Sequence, residues 1–260
     1  MVRHTLLFVL LSVFIISGCK ISGKVMLDGK PVEGATITLT GDAKRTTTTN
    51  SFGTFTFNNL GRGTYTISVD KCGVSPEGVD VTKRSRYTDV TGVRIEAEPL
   101  IWEGDYTIRD ADDLETISGY SLITGALNIH TSALKELKGM ECLTEIQGGL
   151  YISRNISLVT LDGLTNLETI GGNLMIDDND ALTSLDGLKN LAAIDGSLYI
   201  IYNDSLMRIK MDSLSDVGDE FIVMDNANLC DNYGYHLMNA VRSRGHIGGH
   251  TSINDNKICN

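Results

Sequence analysis

Residues 157–179 read SLVTLDGLTNLETIGGNLMIDDN, and residues 181–203 read ALTSLDGLKNLAAIDGSLYIIYN, the same phrase 24 residues later. A fixed period of this length marks a repeat architecture in which each unit cannot bury its apolar face alone. The register extends both ways. One column holds Leu134, Leu158, Leu182, Leu206 and Leu229; a second holds Ile129, Ile152, Ile176, Ile200 and Val223; a third holds Leu127, Leu150, Leu174, Leu198 and Phe221. The last two columns are separated by one residue, so each LxI is a short strand whose flanking side chains point inward and whose middle one points out. Stacked repeat on repeat, such strands form a β-solenoid.

A glycine column (Gly125, Gly148, Gly172, Gly196) precedes each strand, where a corner excludes a side chain. An asparagine column (Asn155, Asn179, Asn203, Asn226) follows it. A stacked amide at a corner satisfies backbone groups that the turn leaves unpaired, so these side chains read as structural, not catalytic.

The pattern LxxLxGLxxLxxIGGxLxIxxN resembles the receptor L domain, a leucine-rich right-handed β-helix, from Tyr106 to the C terminus. The resemblance implies a module without catalysis whose relatives bind other proteins. Its first repeat is short, 20 residues from Leu114 to Leu134, and terminal repeats are atypical because they close the open core. At the other end DNYGYHLMNAVRSRG interrupts the pattern; Leu237, Ala240 and Val241 at i, i+3 and i+4, basic Arg242 and Arg244, and Gly245 predict a short capping helix.

At the start of the chain, Arg3 followed by the apolar run Leu6–Ile16 reads as an export signal over residues 1–18, too short for a comfortable membrane span. Ile16-Ser17-Gly18-Cys19 resembles the lipobox of bacterial lipoproteins, which implies lipidation of Cys19 and a membrane partner through that anchor. Lys20 stands where an inner-membrane retention signal usually has Asp, so the implied place is the bacterial cell surface, with the outer membrane as destination if the source has two membranes.

Charge divides the rest. Residues 20–99 carry 11 Lys+Arg against 9 Asp+Glu, a net of +2, whereas residues 100–260 carry 10 against 24, a net of −14. Such an acidic surface repels phosphate and excludes nucleic acid as a partner. The first domain, residues 19–98, alternates apolar and polar residues in GKVML, ATITLT, GTFTFNNL and GTYTISV, with turn residues between, as the strands of an antiparallel sandwich do. SGKVMLDGKPVEGATITLTG, TTTTNSFGTFTFNNLGRGTYTISV and TDVTGVRIEAE resemble the carboxypeptidase regulatory-like domain, a transthyretin-like sandwich related to collagen-adhesin B-type repeats and used as a spacer or stalk. No Lys–Asn isopeptide signature accompanies it. Residues 99–105, with the single Trp102, read as a linker before the solenoid of residues 106–260. The expected fold class is therefore all-β: a small antiparallel β-sandwich, then a right-handed β-helix (receptor L domain-like) solenoid with a C-terminal capping helix.

Catalytic and metal constellations are hard to find, and no cofactor is expected. His246 and His250 have metal-pair spacing, but Gly245, Gly248 and Gly249 argue against a helix there. Asp177-Asp178-Asn179-Asp180 lacks calcium-loop spacing and reads as a solvated edge. There is no GxSxG, Walker loop or dinucleotide fingerprint.

One surface stands out. The outward residues of the LxI strands are Asn128, Tyr151, Met175, Tyr199 and Ile222, a ladder whose large apolar members mark either an interaction site for a protein partner or a face covered by the sandwich or the capping elements, or stacked only to stabilise the sheet. The alternative is an unknown glycan ligand held by exposed aromatics of the sandwich, among Phe52, Phe55, Phe57, Tyr65 and Tyr87. A hydrolase comes third, because no acid–base pair can be placed. Finally, Ile253–Asn256 realigns with Val223–Asn226 at an offset of 30, which brings Cys259 beside Cys230 at nearly the same corner of adjacent coils and predicts a disulfide. Cys72 and Cys142, in different domains and with Cys142 in the column of Asn166 and Asn190, are expected to be free thiols.

Overall fold

The computed structural model describes residues 20–74, 78–84 and 88–259, so the signal and Cys19 lie outside the described residues. Two units part between Pro99 and Leu100.

Among the described residues the first unit has eight strands: β1 (Ile21–Leu27), β2 (Lys30–Pro31), β3 (Thr36–Gly41), β4 (Arg45–Thr48), β5 (Thr54–Phe57), β6 (Gly63–Asp70), β7 (Gly78–Lys83) and β8 (Val90–Ala97). One sheet runs β4-β3-β6-β7, antiparallel throughout; in the other, β1 pairs antiparallel with β2 and β5. The antiparallel expectation fails at one place: β8 runs parallel to β1, from Ile21↔Val90 to Leu27↔Ala97. Alternation does the packing, since Ile37, Leu39, Tyr65, Ile67 and Val69 point inward from β3 and β6 to meet Ile21, Val25, Phe55 and Phe57. Each such side chain contributes roughly 1.5–3 kcal/mol on burial. Between β1 and β2 the chain reverses through Asp28-Gly29 with φ of 48° and 74°, the left-handed pair that a two-residue hairpin needs.

The second unit is built from two parallel seven-stranded sheets. One stacks Tyr106–Ile108, Leu127–Ile129, Leu150–Ser153, Leu174–Asp177, Leu198–Ile201, Phe221–Met224 and Thr251–Asn254 in that order. The other stacks two-residue strands from Ile101–Trp102 to His246–Ile247. Ile101–Trp102, read above as linker, is thus the end strand of a sheet, paired with Leu122–Ile123. Trp102 packs edge-on against Tyr106 and Tyr120, with ring centroids 4.6 and 5.6 Å apart. The leucine columns fill the space between: Leu158, Leu161, Leu164, Leu167 and their partners one repeat later, Leu182, Leu185, Leu188 and Leu191, are fully buried.

Two devices set the repeat spacing. Backbones touch where glycine stands: a Cβ on Gly187 would lie 2.0 Å from the Leu161 carbonyl oxygen, and one on Gly163 would lie 1.8 Å from that of Leu137. At the opposite corner the asparagines form a continuous amide ladder. Asn179 Oδ1 accepts from Asn155 N (3.1 Å) and Asn155 Nδ2 (2.8 Å), while Asn179 Nδ2 donates to Ile152 O (2.9 Å) and Asn203 Oδ1 (3.0 Å). The chain of bonds runs on through Asn203 and Asn226 to Asn256. At the other end Thr131 N donates to Asn155 Oδ1. Buried polar groups are tolerated here because they are paired.

Helices close both ends. Helix α1 (Ala111–Ile117), which the sequence pattern did not reveal, starts at Asp110, whose side chain accepts from Asp112 N and Asp113 N. Helix α2 (Asp231–Arg244) buries Leu237 and Val241 and sets Gly234 close to Ile253. The Tyr235 hydroxyl donates to Ile253 O at 3.3 Å, which ties the helix to the last strand. Cys230 and Cys259 are joined by a disulfide with α-carbons 5.5 Å apart. The free-thiol expectation for Cys72 and Cys142 is corrected, because both are disulfide-bonded. A column position fixes where a residue sits within its own repeat, not the oxidation state of its thiol. Cys72 is exposed and Cys142 half-buried, so neither is shielded from oxidation.

Candidate interaction surface

Pairing register places the outward residues in one line: Thr107, Asn128, Tyr151, Met175, Tyr199, Ile222 and Ser252. Tyr151, Met175 and Tyr199 are half-buried, whereas Ile222 is 9% exposed and offers little surface. Two local features fix the tyrosines. The Tyr151 ring lies over Gly149, where a Cβ would come within 2.6 Å of it. The Tyr199 hydroxyl donates to Glu220 Oε2 at 2.6 Å, and that bond, above all, raises the phenol above its ordinary value of 10.0.

A second outward column, two residues further along each strand, went unread in the sequence: Ser153, Asp177, Ile201, Met224 and Asn254. Its signal is the strand period of two, applied once more beyond the LxI core. Next comes the corner, where Arg154, Asp178, Tyr202, Asp225 and Asp255 all have φ between 54° and 58°. There Arg154, Asp177, Asp178, Asp180, Tyr202 and Asp204 line an open cleft of about 470 Å³. Arg154 Nε lies 3.8 Å from Asp178 Oδ2. Burial, then the neighbouring Asp178 carboxylate, raises Asp177 above the usual carboxylate range, against the pull of Arg154.

Elsewhere the chemistry is sparse. His130, His246 and His250 are exposed, and among the described residues no three His, Cys, Asp or Glu side chains converge as metal ligands would. In the sandwich Phe55, Phe57 and Tyr65 are core residues, Phe52 is 70% exposed, and Tyr87 lies outside the described residues. Among the described residues no helix is long and apolar enough to cross a membrane.

Among curated proteins none matches this chain. Among solved structures the Bacillus anthracis TIE protein aligns at 15% identity with a TM-score of 0.29, over 34% of this chain and 19% of its own length. That likeness carries no argument. Family models are more informative. Residues 20–95 match the carboxypeptidase regulatory-like domain and residues 144–240 the receptor L domain, both non-catalytic families of binding or regulatory type. The chain therefore carries a carboxypeptidase regulatory-like domain followed by a receptor L domain.

Proposed function

We propose that this is a non-enzymatic surface lipoprotein: a lipid on Cys19, the sandwich as spacer, and a right-handed β-solenoid whose outward face binds a protein partner. The observation that carries the reading is the register of Tyr151, Met175 and Tyr199 on adjacent parallel strands, a continuous apolar strip on the outer side of the sheet. Two parallel sheets with repeat-spaced pairing support the solenoid, and the apolar leader with Ile16-Ser17-Gly18-Cys19 supports export and the anchor. On that reading the protein sits at the bacterial cell surface, in the outer membrane where the source has one. Glycan recognition by the sandwich is disfavoured, since three of its aromatics are core residues.

Replacing Tyr151, Met175 and Tyr199 together with Ser tests the face. The variant keeps its fold and loses the partner; a variant that unfolds shows the strip to be structural, and one that still binds removes the face from the reading. The anchor is tested separately by Cys19→Ser, which releases the protein from the membrane fraction. Retention of that variant in membranes refutes lipidation at Cys19.

A further inference from the structure

Tyr202 is the aromatic member of its corner column, which otherwise holds Arg154 and three aspartates. The left-handed backbone there, φ 54°, suits Asp or Asn, and the later repeats place Asp225 and Asp255 at the same point. A tyrosine gains nothing from that conformation, yet Tyr202 lines the cleft and is 55% exposed, directly after Ile201, an outward strand residue paired with Met224. Four carboxylates, those of Asp177, Asp178, Asp180 and Asp204, share the cleft with it, and its one cationic side chain is Arg154. An aromatic face flanked by carboxylates next to apolar surface has the chemistry to hold a guanidinium or ammonium group: cation–π contact on the ring, charge-assisted hydrogen bonds at the rim. The unit around it carries a net charge of −14, which steers a basic surface toward it.

We infer that the cleft at Tyr202 receives an Arg or Lys side chain of a basic protein partner whose adjoining apolar residues lie on Ile201, Met224 and the Tyr199 strip. This rests on the outward face being the docking surface, and it adds the chemical class of the partner. Arg154, 3.8 Å from Asp178, then plays the part of the chain's own competitor for the cleft.

The test uses a random dodecapeptide display library panned on the full chain. Selected peptides are expected to pair Arg or Lys with a neighbouring apolar residue, and to weaken as NaCl rises from about 50 to about 500 mM. Tyr202→Asn, which suits the left-handed backbone better than tyrosine and so folds, weakens them about tenfold. Asp178→Asn with Asp204→Asn weakens them too. Arg154→Gly, by freeing Asp178, tightens them, a gain that a merely structural role does not produce. Peptides that depend on Tyr151, Met175 and Tyr199 but lack basic residues, or ignore the Tyr202 and Asp substitutions, overturn the basic partner and leave the face standing. Peptides indifferent to both sets of substitutions, or no enrichment at all, overturn both.

Discussion

Asn179→Ala removes one rung of the buried amide ladder, and its cost can be worked bond by bond. Four side-chain hydrogen bonds disappear, those to Asn155 N, Asn155 Nδ2, Ile152 O and Asn203 Oδ1. Three of the partners are not stranded: Asn155 Nδ2 keeps Ile129 O, Asn203 Oδ1 keeps Asn179 N, and Ile152 belongs to a strand paired on both sides. The Asn155 backbone N–H is left without its acceptor inside a fully buried corner. An orphaned buried donor costs about 2 kcal/mol, and because the other partners stay bonded each of the four lost bonds counts at the low end, about 0.5 kcal/mol, so the sum is about 4 kcal/mol. Asn166→Ala is the control, because Asn166 is exposed and its one side-chain bond, to Glu141 O, can be replaced by water. Its expected cost is about 0.5 kcal/mol. Urea unfolding followed by fluorescence isolates the relevant unit, since the chain's single tryptophan, Trp102, belongs to it. A loss for Asn179→Ala no larger than that for Asn166→Ala would refute the view that the ladder stabilises the corner.

Three further outcomes are expected. Cys259→Ser opens the bond that spans 29 residues around α2 and lowers stability by about 3 kcal/mol in the same urea assay; an unchanged midpoint counts against a stabilising bridge. Gly187→Ala forces a methyl against the Leu161 carbonyl and costs about 3 kcal/mol, whereas a neutral result shows the repeats able to separate there. Because hydrogen bonding to Glu220 raises Tyr199, the fold favours the protonated phenol, and that contribution is present below pH 10.0 and fades as pH climbs through the raised value. Glu220→Gln therefore shifts one tyrosine to earlier titration in the tyrosinate absorbance, and an identical curve removes Glu220 as the cause.

Much of the second unit was legible because its residues answer to one period. A 24-residue offset puts Leu150, Leu174 and Leu198 on adjacent strands, and burial leaves no other choice of face. The Cys230–Cys259 bond sits where the register of Asn226 with Asn256 places the two residues. What escaped the sequence lies outside that period. Helix α1 is seven residues long, too short for a periodic pattern, and only Asp110 announces it. The parallel β1–β8 pair joins segments whose alternation looks the same in either direction. The two-residue strands of the second sheet carry no alternation to read. At the surface, Ile222 and Tyr202 exchange the importance their patterns suggest: an outward ladder position is hidden by neighbours, and a corner position stands clear.

The amide ladder also governs how this protein can change in length. Each rung binds the next through the same atoms, and the glycines bring successive backbones into contact, so a repeat added whole meets the surfaces its neighbours already meet. The step from Tyr199 to Ile222 is 23 residues where the two before it are 24, which shows that the looser side absorbs a missing residue while the strands keep register. Duplication of residues 158–181 inserts one strand into each sheet and one asparagine into the ladder, leaving both end helices their present partners. Growth of the domain is therefore quantised, in units of one strand pair and one rung.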